Sequence, residues 1–175
     1  TFTNYTGMRQ HGGAAAARQS RLIVGPWPHA LNASTQTGDV DFGPDSRADL
    51  EGLERRWLDH WLRDADNGVT AEAPVRLFIM GINQWRDEQE WPLARTHWQK
   101  WHLHSAGRAN TVLGDGMLDP EAPADEAADH YVYHPEFPVP TRGGNNCCSP
   151  EIVPWGPHDQ RCVEMRTDVL CYTSP

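Results

Sequence analysis

The sequence predicts a chain in two parts, an α/β part over residues 1–66 and a mainly β part over residues 74–175. One observation is a short apolar run followed by a loop and a long amphipathic helix, the order of elements that α/β proteins repeat. The other is a series of short alternating runs after residue 74, bounded by Pro and Gly, which is typical of a β-sandwich. The boundary is predicted near residues 66–74.

The composition bounds the class of protein. A chain of 175 residues suits one domain, or the end of one and the start of another, at about 100–200 residues per domain. Hydrophobic residues make up 38%, and eight Trp indicate a packed core rather than disorder. The net charge of −9 predicts neither a nucleic-acid partner nor an anionic membrane partner. No apolar run approaches the roughly 18 residues that a membrane span needs.

The first residues suggest that more chain precedes them. The segment 1–5 has no Met and no signal-peptide pattern, so we expect a piece of a longer protein whose N-terminal part is its natural partner. The compartment is not fixed by these residues, although the cytoplasm is favoured, and a homo-oligomer is left open.

The α/β part contains one predicted strand and two predicted helices. The small residues 14–17 predict the end of a closely packed helix. The run 22–24, stopped by Gly and two Pro, predicts a short buried parallel strand. A helix is predicted over residues 47–64, with Ser46 and Asp49 as a capping pair and Asn67-Gly68 as its end. Its apolar face is predicted to lie in the core and consists of Leu50, Leu53, Trp57, Leu58, Trp61 and Leu62.

The β part contains three predicted strands, over residues 75–80, 99–104 and 163–172. Residues 131–133 predict a short strand at most, and residues 105–130 predict a long irregular excursion. Four Cys at 147, 148, 162 and 171 lack the C-x-x-C pairs of a zinc site. Reduced thiols are the favoured interpretation, and a Cys148–Cys162 disulfide is left open.

No metal or cofactor site is predicted. Asp39, Asp41 and Asp45 lack the Gly and the terminal Glu of an EF-hand loop, which favours a solvated loop. His102 and His104 share one face of a predicted strand, and with His97 they make a rival metal site. Solvent-facing histidines are the favoured interpretation.

His29 is the main candidate for chemistry. It follows the predicted strand 22–24 through a turn containing two Pro, and functional groups collect at the carboxyl ends of strands in open α/β sheets. With an ordinary pKa near ~6.5, an imidazole there can accept and return a proton at neutral pH. A turn histidine without a role is the alternative.

The segment 22–29 resembles the GPW-x-H segment of the X-Pro dipeptidyl-peptidase and cocaine esterase family of serine hydrolases. Residues 56–62 resemble the RW-x-DHWL helix of that family, and further matches follow in order along the chain. These further matches lie at residues 42–43, 74–78, 80–81, 85–86, 91–92, 138–144, 156–161 and 166–174.

The resemblance implies an α/β-hydrolase domain with a Ser-Asp-His triad, followed by a jelly-roll domain of the galactose-binding-like type. His29 is then the general base, and no cofactor is needed. No Ser of this chain lies in a G-x-S-x-G context, so the nucleophile and the Asp are expected upstream of residue 1. The β domain is expected to be truncated at residue 175.

The expected activity is cleavage of a small acyl ester, a peptide or another amide, with an X-Pro dipeptidyl bond as one option. Trp27 is a candidate for the wall of the substrate pocket, and a core role for it is equally supported. The alternative is a β-sandwich module that binds carbohydrate or protein. It needs an exposed aromatic platform, for which Trp85, Trp91, Trp98 and Trp155 are candidates. The strand–His–helix order before residue 66 argues against a free-standing module.

Overall fold

The computed structural model describes residues 1–30, 32–147, 149 and 151–175, with Ala16 described by its backbone only. It divides into two compact units, Thr1–Thr96 and His97–Pro175, here called unit 1 and unit 2. Unit 1 contains helices and a mixed sheet, whereas unit 2 contains short strands joined by long irregular segments.

The helices of unit 1 are α1 (Phe2–His11), α2 (Ala14–Gln19) and α3 (Leu50–Arg63), with 3₁₀ turns at Pro44–Ser46 and Val69–Ala71. The strands of unit 1 are β1 (Leu22–Val24), β2 (Gln36–Thr37), β3 (Val40–Asp41), β4 (Val75–Ile79) and β5 (Gln84–Glu88). The strands predicted at 22–24 and 75–80 are confirmed by these bounds. Residues 14–17 are helical as predicted, but they begin the short helix α2 rather than end a helix, and Ala14 and Ala15 are exposed rather than closely packed.

The main sheet of unit 1 has the strand order β1-β4-β5. β1 runs parallel to β4, with Leu22 opposite Val75, and β5 runs antiparallel to β4, with Glu88 opposite Val75. Strands from both sides of residues 66–74 therefore pair in one sheet. The predicted boundary at residues 66–74 separates two domains of the family. Strand pairing does not test where one family domain ends and the next begins, so the boundary stays a prediction.

The core of unit 1 lies on this sheet. Tyr5 of α1 packs against Leu22 of β1 and against Val75 and Leu77 of β4, and Val75 is fully buried. Trp91 packs against the same cluster. Apolar area removed from water stabilises a fold by about 25 cal/mol per Å², so burial of this cluster stabilises unit 1.

Helix α3 confirms the helix predicted over 47–64, but its ends differ from the prediction. The N-cap is Asp49, whose carboxylate accepts from the backbone N–H of Gly52 at 2.9 Å. Ser46 was the wrong cap, because its hydroxyl instead donates to the Gly43 carbonyl within the preceding 3₁₀ turn. The helix ends at Arg63, with Asp64 in the left-handed region, several residues before the Asn67-Gly68 that was predicted to end it.

The apolar face of α3 is only partly covered by the described residues. Trp57 and Trp61 pack together with ring centroids 5.7 Å apart, and the Arg21 guanidinium lies 5.8 Å from the Trp57 ring. Trp61 is 42% exposed and Leu62 is 76% exposed. The prediction that this whole face lies in a core is therefore not met within the described part of the chain.

Unit 2 contains β6 (His102–His104), β7 (Met117–Asp119) and the short helix α4 (Arg161–Glu164). β6 and β7 pair antiparallel, and Thr173 adds an isolated parallel bridge to Met117. The strand predicted over 99–104 is confirmed only for its last three residues. Small sheets of this kind make the region β-rich, and the jelly-roll topology stays a prediction.

Two other strand predictions in unit 2 are wrong. Residues 163–172 begin inside α4, because the Gln160 carbonyl accepts from the N–H groups of Val163 and Glu164 and closes a helical turn. Residues 131–133 form no strand, and their side chains are exposed.

The cysteines also differ from the prediction. Cys147 is disulfide-bonded, so the reduced-thiol interpretation is wrong for that residue. Cys162 and Cys171 are free, which rules out a Cys148–Cys162 disulfide, and Cys148 itself lies outside the described residues. In the described ranges, no helix has the length and apolar character needed to cross a membrane.

Candidate functional site

The loop that carries His29 begins where β1 ends at Val24. A Cβ atom at Gly25 would lie 2.4 Å from the Trp27 ring, because that ring folds back over the Gly25 backbone. Only glycine leaves room for this close approach. The path from the strand to His29 is therefore set by Gly25 and Trp27 together.

Two hydrogen bonds hold the loop before His29. The Trp27 indole N–H donates to the Ser46 carbonyl at 2.9 Å, and the Thr37 hydroxyl donates to the Pro26 carbonyl at 3.0 Å. Pro26 and Pro28 restrict the backbone further, since each proline ring fixes its φ angle. The approach to His29 is consequently held by the Thr37 hydroxyl of β2 and by a backbone carbonyl of the 3₁₀ turn at Pro44–Ser46.

A third residue holds the loop after His29. The Asn32 side chain accepts from the Ala48 N–H at 2.9 Å through Oδ1 and donates to the Ala48 carbonyl through Nδ2. Asn32 adopts a φ of 59°, a left-handed conformation that Asn tolerates better than most residues. The loop is thus fixed to the segment before α3 on both sides of His29.

The His29 side chain is exposed between these fixed points. Within the described ranges it has no hydrogen-bond or ion-pair partner, so both ring nitrogens are open to a reacting group. An exposed imidazole on a held loop is the arrangement in which acid–base groups are commonly presented. The described part of the chain places neither a carboxylate nor a serine hydroxyl in hydrogen-bond contact with it.

Trp27 packs against Trp85 of β5, with ring centroids 5.7 Å apart and an interplanar angle of 49°. Its ring contacts and its N–H are both used within unit 1, which accounts for Trp27 without a substrate. Its role as a wall of the substrate pocket stays a prediction.

Trp85 is the residue at this site that sequence reasoning assigned elsewhere, as part of a carbohydrate platform. Its indole N–H donates to the Asp45 carbonyl at 2.6 Å, and its ring packs 5.4 Å from Phe78 on the neighbouring strand. The Arg76 guanidinium lies 5.3 Å from the same ring. Its position opposite Phe78 follows from the register between β4 and β5, and a short run of strand residues in the sequence does not determine that register.

In the rival histidine site, the ring of His104 is engaged by neighbouring protein groups. His104 Nδ1 lies 2.7 Å from a Glu126 carboxylate oxygen, and its Nε2 lies 2.9 Å from the Glu121 carbonyl. Both ring nitrogens face acceptors, and the hydrogen bond to Glu126 is the main cause that raises the pKa of His104. Across the described ranges, no group of three or more His, Cys, Asp or Glu side chains is arranged to bind a metal ion.

The Asp-rich loop has a structural explanation for Asp41. Its carboxylate accepts from the Gly43 N–H at 2.9 Å, and this hydrogen bond is the main cause that lowers the pKa of Asp41. Such a carboxylate-to-backbone turn fixes the approach to the 3₁₀ turn at Pro44–Ser46.

Residues 67–175 match the family described as X-Pro dipeptidyl-peptidase C-terminal non-catalytic domain. The chain belongs to this family. The X-Pro dipeptidyl-peptidase and cocaine esterase relationship predicted from the motifs is thereby confirmed.

Two sets of relatives agree with this assignment. The chain is 37% identical over 158 residues to "Cocaine esterase" from Rhodococcus sp., an overlap that covers 89% of this chain and 27% of the relative. It is 35% identical over 114 residues to two proteins named "Putative serine esterase", from Mycobacterium bovis and Mycobacterium tuberculosis. That overlap covers 65% of this chain and 16% of each mycobacterial relative. The chain therefore spans about a quarter or less of the relatives that it matches.

The family match divides the candidate site. Trp85 lies inside residues 67–175, the segment whose family is described as non-catalytic, whereas Trp27 and His29 lie before it. The contact between Trp85 and Trp27 therefore joins the matched segment to the loop that carries His29.

Proposed function

We propose that the protein containing this chain is a serine hydrolase that cleaves small acyl esters or amides, with His29 as its general base. The observation that carries the proposal is the exposed imidazole of His29 on a loop held by Trp27 and Asn32. Relatives named as esterases support the reaction class.

In the proposed mechanism, His29 takes the proton of a serine hydroxyl as that oxygen attacks the substrate carbonyl. The imidazolium then returns the proton to the leaving alcohol or amine, and a water molecule repeats the cycle on the acyl-enzyme. The serine and the Asp that orients His29 are proposed to come from residues outside 1–175. X-Pro dipeptidyl bonds are one proposed substrate class among the amides.

The proposed domain organisation follows the same resemblance. Residues 1–66 form the end of an α/β-hydrolase domain, and residues 74–175 form part of a jelly-roll domain. The parallel pairing of β1 with β4 supports a close association between the end of the first domain and the start of the second.

The test is His29→Ala in the protein that carries this chain, assayed on a p-nitrophenyl acyl ester and an X-Pro anilide. Loss of a triad histidine is expected to lower kcat by about 10⁴-fold or more, and labelling of the nucleophile by a fluorophosphonate probe is expected to slow in parallel. His11→Ala is the matched control, because His11 is also exposed in unit 1 but lies at the end of α1. A His29→Ala variant within tenfold of wild type removes His29 from the mechanism.

Residues 1–175 alone are expected to turn over neither substrate, because a general base has no effect without a nucleophile to activate. Addition of the remaining polypeptide is expected to restore turnover. Hydrolysis by the isolated chain that survives purification to homogeneity means that a nucleophile lies within these residues, and the assignment of the triad fails.

A binding role is a second candidate function for unit 2. Trp98 is 83% exposed, and Trp101 is also exposed nearby, whereas Trp85 and Trp91 are packed in unit 1. Exposed aromatic rings can stack on sugar rings. A glycan array probed with wild type and Trp98→Ala distinguishes this candidate, since binding that survives the substitution excludes Trp98 as a platform.

A further inference from the structure

Two tryptophan side chains bind adjacent carbonyls of one turn. The Trp27 indole donates to the Ser46 carbonyl, and the Trp85 indole donates to the Asp45 carbonyl. Both carbonyls belong to the 3₁₀ turn at Pro44–Ser46. The ring of Trp85 also packs against the ring of Trp27. Trp85 therefore contacts both Trp27, which lies two residues before His29, and the Pro44–Ser46 turn to which Trp27 is hydrogen-bonded.

Trp85 is itself held by the main sheet. It lies in β5 directly opposite Phe78 of β4, with their rings 5.4 Å apart in an edge-to-face arrangement. Phe78 is buried and packs edge-to-face on Phe42, with centroids 6.1 Å apart. The Arg76 guanidinium lies near the Trp85 ring as well. The indole is consequently placed by rigid elements, a stronger constraint than a loop contact gives.

We infer that Trp85, a residue of the segment matched to a non-catalytic domain, is a positioning residue for His29. It holds the Trp27 ring against the Pro44–Ser46 turn, and through the short Trp27-Pro28 segment it sets where the His29 imidazole lies. This inference rests on the proposed function, because His29 must be the base for its position to affect turnover.

The geometry explains why this support matters. Within the described ranges His29 has no side-chain partner, so these residues place it only through the backbone of its loop. The Asp proposed to orient the imidazole then acts on a ring that this backbone has already placed. That backbone is held on the strand side by Trp27, whose ring is packed by Trp85. A displacement of about 1 Å in a catalytic group can lower the rate by about 10²-fold.

The variants are Trp85→Phe, which keeps a ring but loses the N–H donor, and Trp85→Leu, which loses both. In the full protein, kcat on the p-nitrophenyl ester is expected to fall by about tenfold for Trp85→Phe and about 10²-fold for Trp85→Leu. KM is expected to stay within about threefold of wild type, since Trp85 does not contact substrate in this inference.

Trp91→Leu is the matched control. Trp91 is also a packed tryptophan of unit 1, stacked on Phe2 with centroids 4.4 Å apart and set against the Tyr5 cluster. It has no contact with Trp27 or with the Pro44–Ser46 turn in the described structure. It is expected to lower the denaturation midpoint at least as much as Trp85→Phe does, while kcat at a temperature well below that midpoint stays within twofold.

A second readout does not depend on activity. In the full protein labelled with ¹³C at the histidine ring, the His29 resonance is assigned by its loss in His29→Gln. It is expected to shift or broaden in both Trp85 variants and to remain unchanged in Trp91→Leu. If Trp85→Leu does not fold, the His29 resonance of Trp85→Phe alone still tests the positioning role.

The outcomes separate the two hypotheses. If His29→Ala keeps its activity, the proposed function fails, whatever the Trp85 variants do. If His29→Ala loses its activity but Trp85→Phe leaves both kcat and the His29 resonance at wild-type values, the positioning role is overturned. Equal losses of kcat in Trp85→Phe and Trp91→Leu also overturn it, because they indicate a general loss of packing.

Discussion

Unit 1 and unit 2 are each stabilised internally by a different kind of interaction. In unit 1 the buried apolar side chains include Tyr5, Leu22, Val75, Leu77 and Phe78, grouped around one sheet. In unit 2 the buried apolar group within the described ranges is Ala109. Large apolar side chains of unit 2, such as Leu113 and Phe137, are exposed instead.

Unit 2 relies on polar side chains that bridge its irregular segments. Asp129 accepts from the Tyr172 hydroxyl at 2.6 Å, from the Ser105 hydroxyl at 2.7 Å and from the Ala109 N–H at 2.8 Å. His104 pairs with Glu126 across the segment 105–130, and Arg166 pairs with Asp168.

This difference has a consequence for how each unit responds to its surroundings. Apolar burial depends on area and is insensitive to pH, whereas each hydrogen bond adds only about 1 kcal/mol net and changes with pH where one partner is a titratable group. Unit 1 is therefore suited to hold the His29 loop in one place across a range of pH. Unit 2 is expected to respond to pH and to single polar substitutions.

The largest expected effect is on the core of unit 1. Leu77→Ala removes a buried side chain from β4 and leaves a cavity, which is expected to destabilise unit 1 by about 2–5 kcal/mol. Denaturant unfolding followed by tryptophan fluorescence measures this. Leu113→Ala in unit 2 is the control, because Leu113 is 91% exposed and its loss is expected to stay within about 0.5 kcal/mol. Equal losses for the two variants break the contrast between the units.

The next largest effect is expected at Asp129 in unit 2. Asp129→Ala leaves three donors without their acceptor, and exchange of the Ala109 amide is expected to rise by about tenfold or more. The hydrogen bond to Asp129 is the main cause that raises the pKa of Tyr172 to about 12, so the variant is also expected to return that pKa toward its ordinary value. Hydrogen exchange and an ultraviolet titration measure the two effects.

The sign of the Tyr172 contribution follows from the raised pKa. Its stabilising effect is fully present below the ordinary tyrosine pKa of about 10 and is lost as pH rises through about 12. Asp125→Ala is the control, since Asp125 is exposed four residues earlier. If Asp125→Ala raises the exchange of the Ala109 amide as much as Asp129→Ala does, the hydrogen bonds to Asp129 are not what protects that amide from exchange.

A smaller effect is expected from His104, and it sharpens the contrast in pH response. The pKa of His104 is raised by Glu126, by the Glu121 carbonyl and by Asp119, so its contribution is present below about 6.5 and is lost as pH rises through the higher folded value. The pKa of Glu126 is lowered by His104, so its contribution is lost as pH falls through that lowered value. The ion pair is therefore strongest in mildly acidic solution.

The test compares hydrogen exchange of unit 2 between pH 6 and pH 9 after correction for the intrinsic rate. The Ser105 amide, which donates to Glu126, is expected to lose about threefold protection in wild type and none in His104→Gln. His102→Gln is the matched control on the same strand. A wild-type protein whose corrected exchange is flat over this range contradicts the prediction.

The regions also differ in how well the sequence predicted them. Helix α3 was predictable because its apolar residues repeat at helical spacing, and β4 was predictable because Pro74 and Gly81 bound a run of apolar residues. The His29 loop was predictable because Gly25 interrupts the strand pattern and two prolines restrict the backbone that follows. These are local signals.

The failures lie where the structure depends on contacts between distant residues. The strand predicted over 163–172 is the exception, because its failure is local. Its residues alternate weakly, and the neighbouring carbonyls of Gln160 and Arg161 close a helical turn there. Trp85 carries no local sign that its indole binds Asp45, because that contact joins residues 40 positions apart. Unit 2 was hard to predict for the same reason, since Asp129 and Tyr172 are 43 positions apart.

The smallest expected effect concerns the ion pair between Asp159 and Arg161. It tests whether a strongly shifted pKa marks a contact that stabilises unit 2. Hydrogen bonds from Arg161 are the main cause that lowers the pKa of Asp159 to about 2. The Arg161 side chain is 84% exposed, so water and salt screen the pair, and holding two flexible side chains together costs entropy. Arg161→Gln is expected to raise the pKa of Asp159 toward its ordinary value, as measured by NMR titration. The denaturation midpoint is expected to move by less than about 3 °C. Asp129→Ala in the same unit gives the scale for a large loss, because its partners are less exposed and include a backbone amide. A loss from Arg161→Gln as large as that from Asp129→Ala would mean that exposed ion pairs, and not the Asp129 network, stabilise unit 2.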